Sequence, residues 1–321
     1  MTTRWRRALR AGVLLGLVAA LVVFGRRVDW RSAALVVRAA DPLLMAGALT
    51  LNLLSLALKG VRWWVFLRPL GSVRLPLVLR ATFAGASLNN LVVAQGGEGA
   101  RVLLVSRAAG VSSAGVLAAL ALERTLDAVS YLALLVTAAW MLDLPEHIAH
   151  WRGAAAAALA VATALLVALG LAARRRAPVA DHTPATTGGR LSGYLGRMRS
   201  GTAMVATPPR LAAALVLSLL AWSLQVATYH LTARAAHLPL PLAGSVAAML
   251  AVGISFLVRA TPGNVGVFQV IYAFTVRSFG IAEAPAIAVA LLIQTLQVIP
   301  TIVLGTLVAP RLLAGTSRHE S

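Results

Sequence analysis

The sequence contains no cysteine, which excludes disulfides, thiolate metal sites and cysteine nucleophiles. Acid is scarce as well, with 10 Asp and Glu against 29 Lys and Arg, so the formal net charge is +19. Such a charge would suit a nucleic-acid binder, but the arginines cluster at the ends of apolar runs and form no basic domain. We therefore expect the membrane, and no nucleic acid, as the partner of these charges.

Polar segments long enough to fold by themselves are also missing. The chain is 59% hydrophobic and 12% charged, with a mean hydropathy of +0.83, which is too apolar for a soluble globular protein. The longest polar segment, residues 174–210, is too short for a catalytic domain. The sequence therefore predicts an all-α polytopic membrane protein that forms a single domain over residues 1–321 and is not an enzyme.

Motifs for cofactors and metals are lacking too. No Lys-Ser/Thr pair follows the glycine-rich stretches, so they are not P-loops. The six histidines are scattered, and His147 and His150 in one short loop have no convincing third ligand. We expect neither a cofactor nor a bound metal.

Arginine-rich ends orient the apolar runs. Residues 11–25 follow four arginines and could be a signal-peptide core, but the lack of an Ala-x-Ala-like site favours a retained first span. The other predicted spans are residues 42–58, 113–142, 153–173, 211–236 and 284–309, with an amphipathic interfacial segment at 26–41 and an external turn at 143–152. The basic segments 59–80, which includes Trp63 and Trp64, and 174–210 are predicted to be cytoplasmic, as are both termini, in the cell (inner or plasma) membrane.

Two glycine-containing breaks interrupt apolar runs. The first lies in residues 89–101, between arms at 75–94 and 100–109, and the second lies between arms at 240–258 and 265–279. Broken helices at membrane depth are tolerated where the backbone is buried in protein or lines a wet cavity. We predict two re-entrant or broken hairpins in addition to about six spans.

The two hairpins belong to an internal repeat. Residues 110–127 align without gaps on 280–297, residues 94–97 fall on 260–263, and each hairpin opens with Leu-Pro-Leu. The repeats cover about 75–142 and 240–310, and the predicted topology inserts them from opposite sides. Inverted repeats with broken helices are typical of a transporter site near the bilayer midplane.

Three charges stand in the middle of one predicted span. Glu123, Arg124 and Asp127 share one side of a helix, and facing lipid they would cost about 3 kcal/mol each. They therefore face one another, the hairpins or water. Either a substrate pathway or a structural ion pair that locks helices explains them.

The first break carries its own charges. Glu98 and Arg101 are three residues apart at a helix start, where Gly96 and Gly97 would leave backbone N–H groups for an anion or headgroup. A helix-capping acid beside an interfacial arginine is the alternative. The second break, residues 261–266, gains interest from its pairing with the first.

Read together, these motifs resemble the flippase-like transmembrane region of lysylphosphatidylglycerol synthases, over about residues 8–310. The resemblance rests on Asn89-Asn90, Gly97-Glu98-x-x-Arg101, Glu123-Arg124-x-Leu126-Asp127 and Thr261-Pro262-Gly263-x-x-Gly266. It implies a stand-alone lipid-translocating module without the aminoacyl-transferase domain. This sequence departs from the usual family pattern at four positions. It has Val93 and Gln95 where the family usually has proline and arginine, and it has Gln269 and Gln294 where the family usually has glutamate and arginine.

The sequence thus favours a flippase that moves an anionic or modified phospholipid, or a lipid-linked saccharide, between leaflets. Its substrate-binding residues are expected to be Asn89, Asn90, Glu98, Arg101, Glu123, Arg124, Asp127, Pro262, Gly263, Asn264, Gln269 and Gln294. The alternative is a non-transporting membrane partner that recruits an envelope-lipid enzyme through residues 174–210. A homodimer or an enzyme partner is compatible with either reading.

Overall fold

A computed structural model describes residues 30–91, 96–141, 152–174, 207–256 and 264–316. All regular secondary structure in these segments is helical, and none of them forms a strand, which confirms the predicted all-α class. The helices are α1 (Trp30–Ala39), α2 (Pro42–Leu67), α3 (Leu75–Leu91), α4 (Gly96–Ala109), α5 (Ser113–Met141), α6 (Arg152–Arg174), α7 (Pro208–Ala235), α8 (Leu242–Ser255), α9 (Val267–Arg277) and α10 (Glu283–Thr316), with a 3-10 turn at Arg68–Leu70.

Within the described residues, three helical stretches are long and apolar enough to cross a bilayer. They are Pro42–Leu70, Pro208–Ala235 and Glu283–Val308, and shorter apolar helices accompany them. The chain is therefore a membrane protein, as its composition predicted. The predicted first span, the external turn with His147 and His150, and nearly all of the basic loop lie outside the described residues.

Helix α2 is longer than the sequence predicted. It starts at a clear signal, because Asp41 Oδ1 accepts the backbone N–H groups of Leu43 and Leu44 and Pro42 occupies the first turn. It continues to Leu67, so the predicted end at residue 58 is wrong. Arg62 and Trp63, predicted to lie in a cytoplasmic connection with the indole at headgroup level, are completely buried in the helix.

The first hairpin also differs in its bounds. Helix α4 begins at Gly96 and has 14 residues, so it contains all three glycines that the sequence placed in the break, Gly96, Gly97 and Gly99. At 1.5 Å per residue its length is about 21 Å, which still falls short of the ~30 Å hydrocarbon thickness. The break itself is confined to residues 92–95, outside the described residues and including Val93 and Gln95.

The described helices group into two compact units. The first unit contains residues 30–49, 90–91, 226–256 and 264–298, and the second contains 50–89, 96–141, 152–174, 207–225 and 299–316. In the first, α8 is buried over most of its length and aromatic rings of α7 and α9 meet, with Tyr229 and Phe268 centroids 6.1 Å apart. In the second, large side chains of α2, α3, α4 and α5 form one apolar core around Trp63, Phe66 and Leu126.

The sequence offset of 170 residues reappears in the backbone. Gly110 (φ 64°) and Gly280 (φ 77°) both take the left-handed conformation that glycine adopts without strain. The next long helix starts three residues later in each case, at Ser113 in the second unit and at Glu283 in the first. The aligned segments thus share a helix, a glycine turn and a long helix, while their inverted arrangement stays a prediction.

Candidate functional site

Arg62 is the centre of a buried charge cluster in the second unit. Its side chain has no exposed surface, and it donates to Glu123 Oε1 at 3.0 Å and to Asp127 Oδ1 at 2.7 Å. It also donates to Ser218 Oγ at 2.6 Å. The two carboxylates lie one turn apart on α5, so a single planar guanidinium from α2 reaches both. This arrangement joins α2, α5 and α7.

A second arginine approaches Glu123 from helix α4, the second arm of the first hairpin. Arg101 on α4 is 6% exposed and donates to Glu123 Oε2 at 3.1 Å, so the two oxygens of this carboxylate serve two different arginines. Its guanidinium carbon lies 4.1 Å from the centroid of the Trp63 ring, a cation–π contact. Its Nε is buried and has no hydrogen-bond partner among the described residues. Arg101 therefore retains an unused donor.

The cluster extends to a more exposed pair. Arg124 is paired with Glu98 and lies 3.9 Å from Asp127 Oδ2. The Arg124 side chain is 51% exposed, whereas that of Glu98 is 18% exposed. Five predicted site residues, Glu98, Arg101, Glu123, Arg124 and Asp127, are thus brought together in one unit. Together with Arg62 they form a series of charges that ranges from fully buried to half exposed.

Asn89 occupies part of the predicted anion cradle. Its Oδ1 accepts the N–H of Gly97 at 2.9 Å, so the α4 start is capped by a side chain of α3. The two arms touch at backbone level here, because a Cβ on Gly97 would collide with the carbonyl oxygen of Gly85 and with Asn89. The Gly97 N–H is therefore committed within the hairpin. Asn90, the next residue of α3, is half-buried.

A second, uncharged polar cluster lies in the first unit. Asn264 Nδ2 donates to Ser255 Oγ at 2.7 Å, and Gln269 Oε1 accepts the N–H of Gly266 at 2.7 Å. Gln269 Nε2 in turn donates to Gln294 Oε1, which joins α9 to α10. Asn264, Gln269 and Gln294 are all buried. The other two predicted members of this break, Pro262 and Gly263, lie outside the described residues.

Sequence reasoning missed the partner that organises the charge cluster. Arg62, Trp63 and Ser218 were not predicted site residues, because α2 was expected to end before the first two of them. One signal was available: Asn52, Ser55, Lys59 and Arg62 recur every three or four residues, which gives an apolar helix one polar stripe. Ser55 is buried and donates to the Ala221 carbonyl at 2.8 Å, and Lys59 lies 4.8 Å from the Trp222 ring centroid.

Helical membrane architecture, hairpins and a largely buried cluster of paired charges define an integral membrane protein. The chain matches the family model of the lysylphosphatidylglycerol synthase TM region over residues 9–305, and it belongs to that family. This confirms the resemblance drawn from the motifs and gives the protein a membrane lipid-related role. Neither a search of curated proteins nor a search of solved structures returned a match.

Proposed function

We propose that this protein is a flippase that moves an anionic or modified phospholipid, or a lipid-linked saccharide, between the leaflets of the cell membrane. Family membership supports a role with lipids. The observation that carries the proposal is the charge cluster of the second unit. The protein itself would perform no covalent chemistry on the lipid.

The cluster and a neighbouring lysine together carry a small excess of positive charge. Arg62, Arg101 and Arg124 balance Glu98, Glu123 and Asp127 within the cluster, and Lys59, which precedes Arg62 on the polar stripe of α2, adds a fourth positive charge. The sum is one positive charge when all seven groups are ionised. A phosphodiester brings one negative charge, so its entry would neutralise the site.

Arg101 is the residue best placed to contact a phosphate. It holds one carboxylate oxygen, it has a donor without a partner among the described residues, and its position against Trp63 limits its contact with water. A guanidinium binds phosphate and carboxylate with the same planar geometry. A phosphate can therefore replace Glu123 on Arg101, while Arg62 continues to neutralise Glu123.

The graded exposure of the cluster suits passage of a headgroup. Arg124 at one end is half exposed and Arg62 at the other has no exposed surface. A headgroup that moves from Arg124 to Arg101 would exchange one arginine for another without becoming an isolated charge in a low-dielectric environment. The lipid tails would stay in the bilayer during this movement.

Replacement of Arg101 tests the proposal. In liposomes that contain the purified protein, we expect Arg101→Ala to slow the movement of a fluorescent anionic phospholipid about tenfold or more, because one charged hydrogen bond contributes about 1.5–3 kcal/mol. Arg101→Lys should retain part of the rate. Arg107→Ala, which removes an exposed arginine from the same helix, is the matched control.

The same experiment separates transport from a purely structural ion pair. A folded Arg101→Ala protein that moves lipid as fast as wild type would show that the cluster only holds helices together. Equal rates in empty and protein-containing vesicles, for several headgroups, would contradict the flippase proposal. Recruitment of an enzyme through residues 174–210 stays a prediction of the sequence, since residues 175–206 lie outside the described residues.

A further inference from the structure

The uncharged cluster of the first unit contains a hydrogen-bond acceptor without a partner. Asn264 is 1% exposed, and its Oδ1 has no hydrogen-bond partner among the described residues. An unpaired buried polar atom costs about 1–3 kcal/mol. Proteins retain such an atom where it has a role, often the binding of a group that is absent from the structure.

The neighbouring hydrogen bonds fix the chemical nature of that atom. Ser255 has a single hydroxyl hydrogen, which it donates to the Val252 carbonyl at 2.6 Å. Its oxygen can therefore only accept a hydrogen bond from Asn264, so the amide nitrogen of Asn264 must face Ser255. This agrees with the 2.7 Å distance between Asn264 Nδ2 and Ser255 Oγ. The unpaired atom is consequently the amide oxygen, and a ligand must offer it a hydrogen-bond donor.

The backbone holds this amide in an uncommon conformation. Asn264 has a positive φ of 60°, in the left-handed region that asparagine tolerates better than most residues other than glycine. Two residues later, Gly266 (φ 85°) donates its N–H to the side-chain oxygen of Gln269. The side chain is therefore positioned by Ser255 on one side and by a fixed helix start on the other.

The donor that this site suits is uncharged. In the internal repeat, Asn264 corresponds to Glu98, because both directly follow the aligned residues 94–97 and 260–263. Gln294 corresponds to Arg124, the partner of Glu98 in the second unit. Asn264 and Gln294 are both amides, as is Gln269, whose hydrogen bond joins α9 to α10. Among the described residues of this unit the acids are Asp41 and Glu283, each at the N-terminus of a helix. An ammonium ion buried at Asn264 would have no countercharge within the cluster.

We propose that the amide oxygen of Asn264 accepts a hydrogen bond from an uncharged hydroxyl of a lipid headgroup, either a glycerol or a sugar. Exclusion of water strengthens this bond and makes the site selective for hydroxylated lipids. The inference deepens the proposed flippase function by naming headgroup chemistry. A binding measurement, which does not depend on transport, tests it separately.

Two matched lipid pairs supply the probes. Phosphatidylglycerol and phosphatidylmethanol carry the same phosphodiester charge, but only the first has headgroup hydroxyls. Monoglucosyl diacylglycerol and its tetra-O-methyl ether form the corresponding sugar pair. The affinity of the purified full chain for short-chain forms is measured by calorimetry in an amine-oxide detergent, because sugar detergents would compete.

Wild type should bind the hydroxylated member of at least one pair about five- to tenfold more tightly, as expected for one hydrogen bond to a buried acceptor. The pair that shows the preference distinguishes glycerol from sugar. Asn264→Gly, which keeps the left-handed backbone and removes the amide, should abolish the preference. Thr275→Val removes a hydroxyl that donates to the Ile271 carbonyl within α9, and this variant should retain the preference for the hydroxylated lipid.

Three outcomes would overturn the proposal. The first is that wild type binds both members of each pair equally. The second is that Asn264→Gly preserves the preference. The third is that Asn264→Gly lowers the affinity for both members of a pair by the same factor. Circular dichroism of each variant checks that its helices are intact. If Asn264→Gly does not fold, Ser255→Ala replaces it, because loss of the Ser255 acceptor leaves the amide free to rotate and should reduce the preference.

Discussion

Arg62→Leu is expected to destabilise the protein by about 3–5 kcal/mol, the usual cost of removing one partner from a buried ion pair. The arginine bonds to Glu123, Asp127 and Ser218, and none of its side chain is exposed. Without it, Glu123 would be left with Arg101, and Asp127 would be left with its 3.9 Å contact to Arg124. Unfolding by sodium dodecyl sulfate, followed by circular dichroism, measures the loss.

A compensated variant distinguishes this mechanism from lost packing. Arg62→Leu combined with Asp127→Asn removes the carboxylate that has lost its main partner, leaves Glu123 paired with Arg101, and should recover more than half of the lost stability. Arg80→Leu removes an exposed arginine from α3 and should change the free energy of unfolding by less than about 0.5 kcal/mol. An Arg62→Leu protein as stable as Arg80→Leu would contradict the central role of Arg62.

Gly97→Ala is expected to destabilise the first hairpin by about 3 kcal/mol, at the upper end of the range for overpacking. A Cβ at this position would overlap the carbonyl oxygen of Gly85, and it would lie 2.7 Å from the Asn89 side chain. One of the obstacles is backbone, so a rotamer change cannot relieve the clash. The variant should lower the melting temperature measured by tryptophan fluorescence and slow lipid movement in the same preparation.

Gly99→Ala, two residues along the same helix, should act in the opposite direction. A Cβ there meets no atom of the described chain within 4 Å, and alanine stabilises a helix by about 0.5–1 kcal/mol over glycine. The pair of substitutions therefore separates helix propensity from close contact between the arms. Two variants with the same sign of stability change would show that the Gly85–Gly97 contact is not what constrains this hairpin.

Helix positions followed closely from the sequence where polar signals mark the ends. The predicted span 113–142 is helix α5, Ser113–Met141, because an apolar run follows a glycine turn there. The end of α2 was misplaced because Lys59 and Arg62 were read as a loop signal. In an apolar helix, a cation and an indole mark the membrane surface only if they face outward, and Arg62 and Trp63 face a protein core.

The candidate site was predicted in part for a similar reason. The cost of burying charge in a membrane is local to the residue, so Glu123, Arg124 and Asp127 could be singled out from sequence alone. Which cation neutralises each acid depends on contacts between residues far apart in the sequence. Arg62 lies 61 residues before Glu123 along the chain, and no periodicity or motif records that separation.

The sequence by itself determined the membrane class, the all-α fold, the family and the presence of charges that must face away from lipid. These follow from hydropathy, helix-end signals and short motifs, which depend on residues near one another in the chain. Only the tertiary structure decided that Glu123 is shared by Arg62 and Arg101, that Asn89 caps α4, and that Asn264 retains an acceptor without a partner among the described residues. Those facts depend on which helices pack together, and packing brings together residues that the sequence keeps far apart.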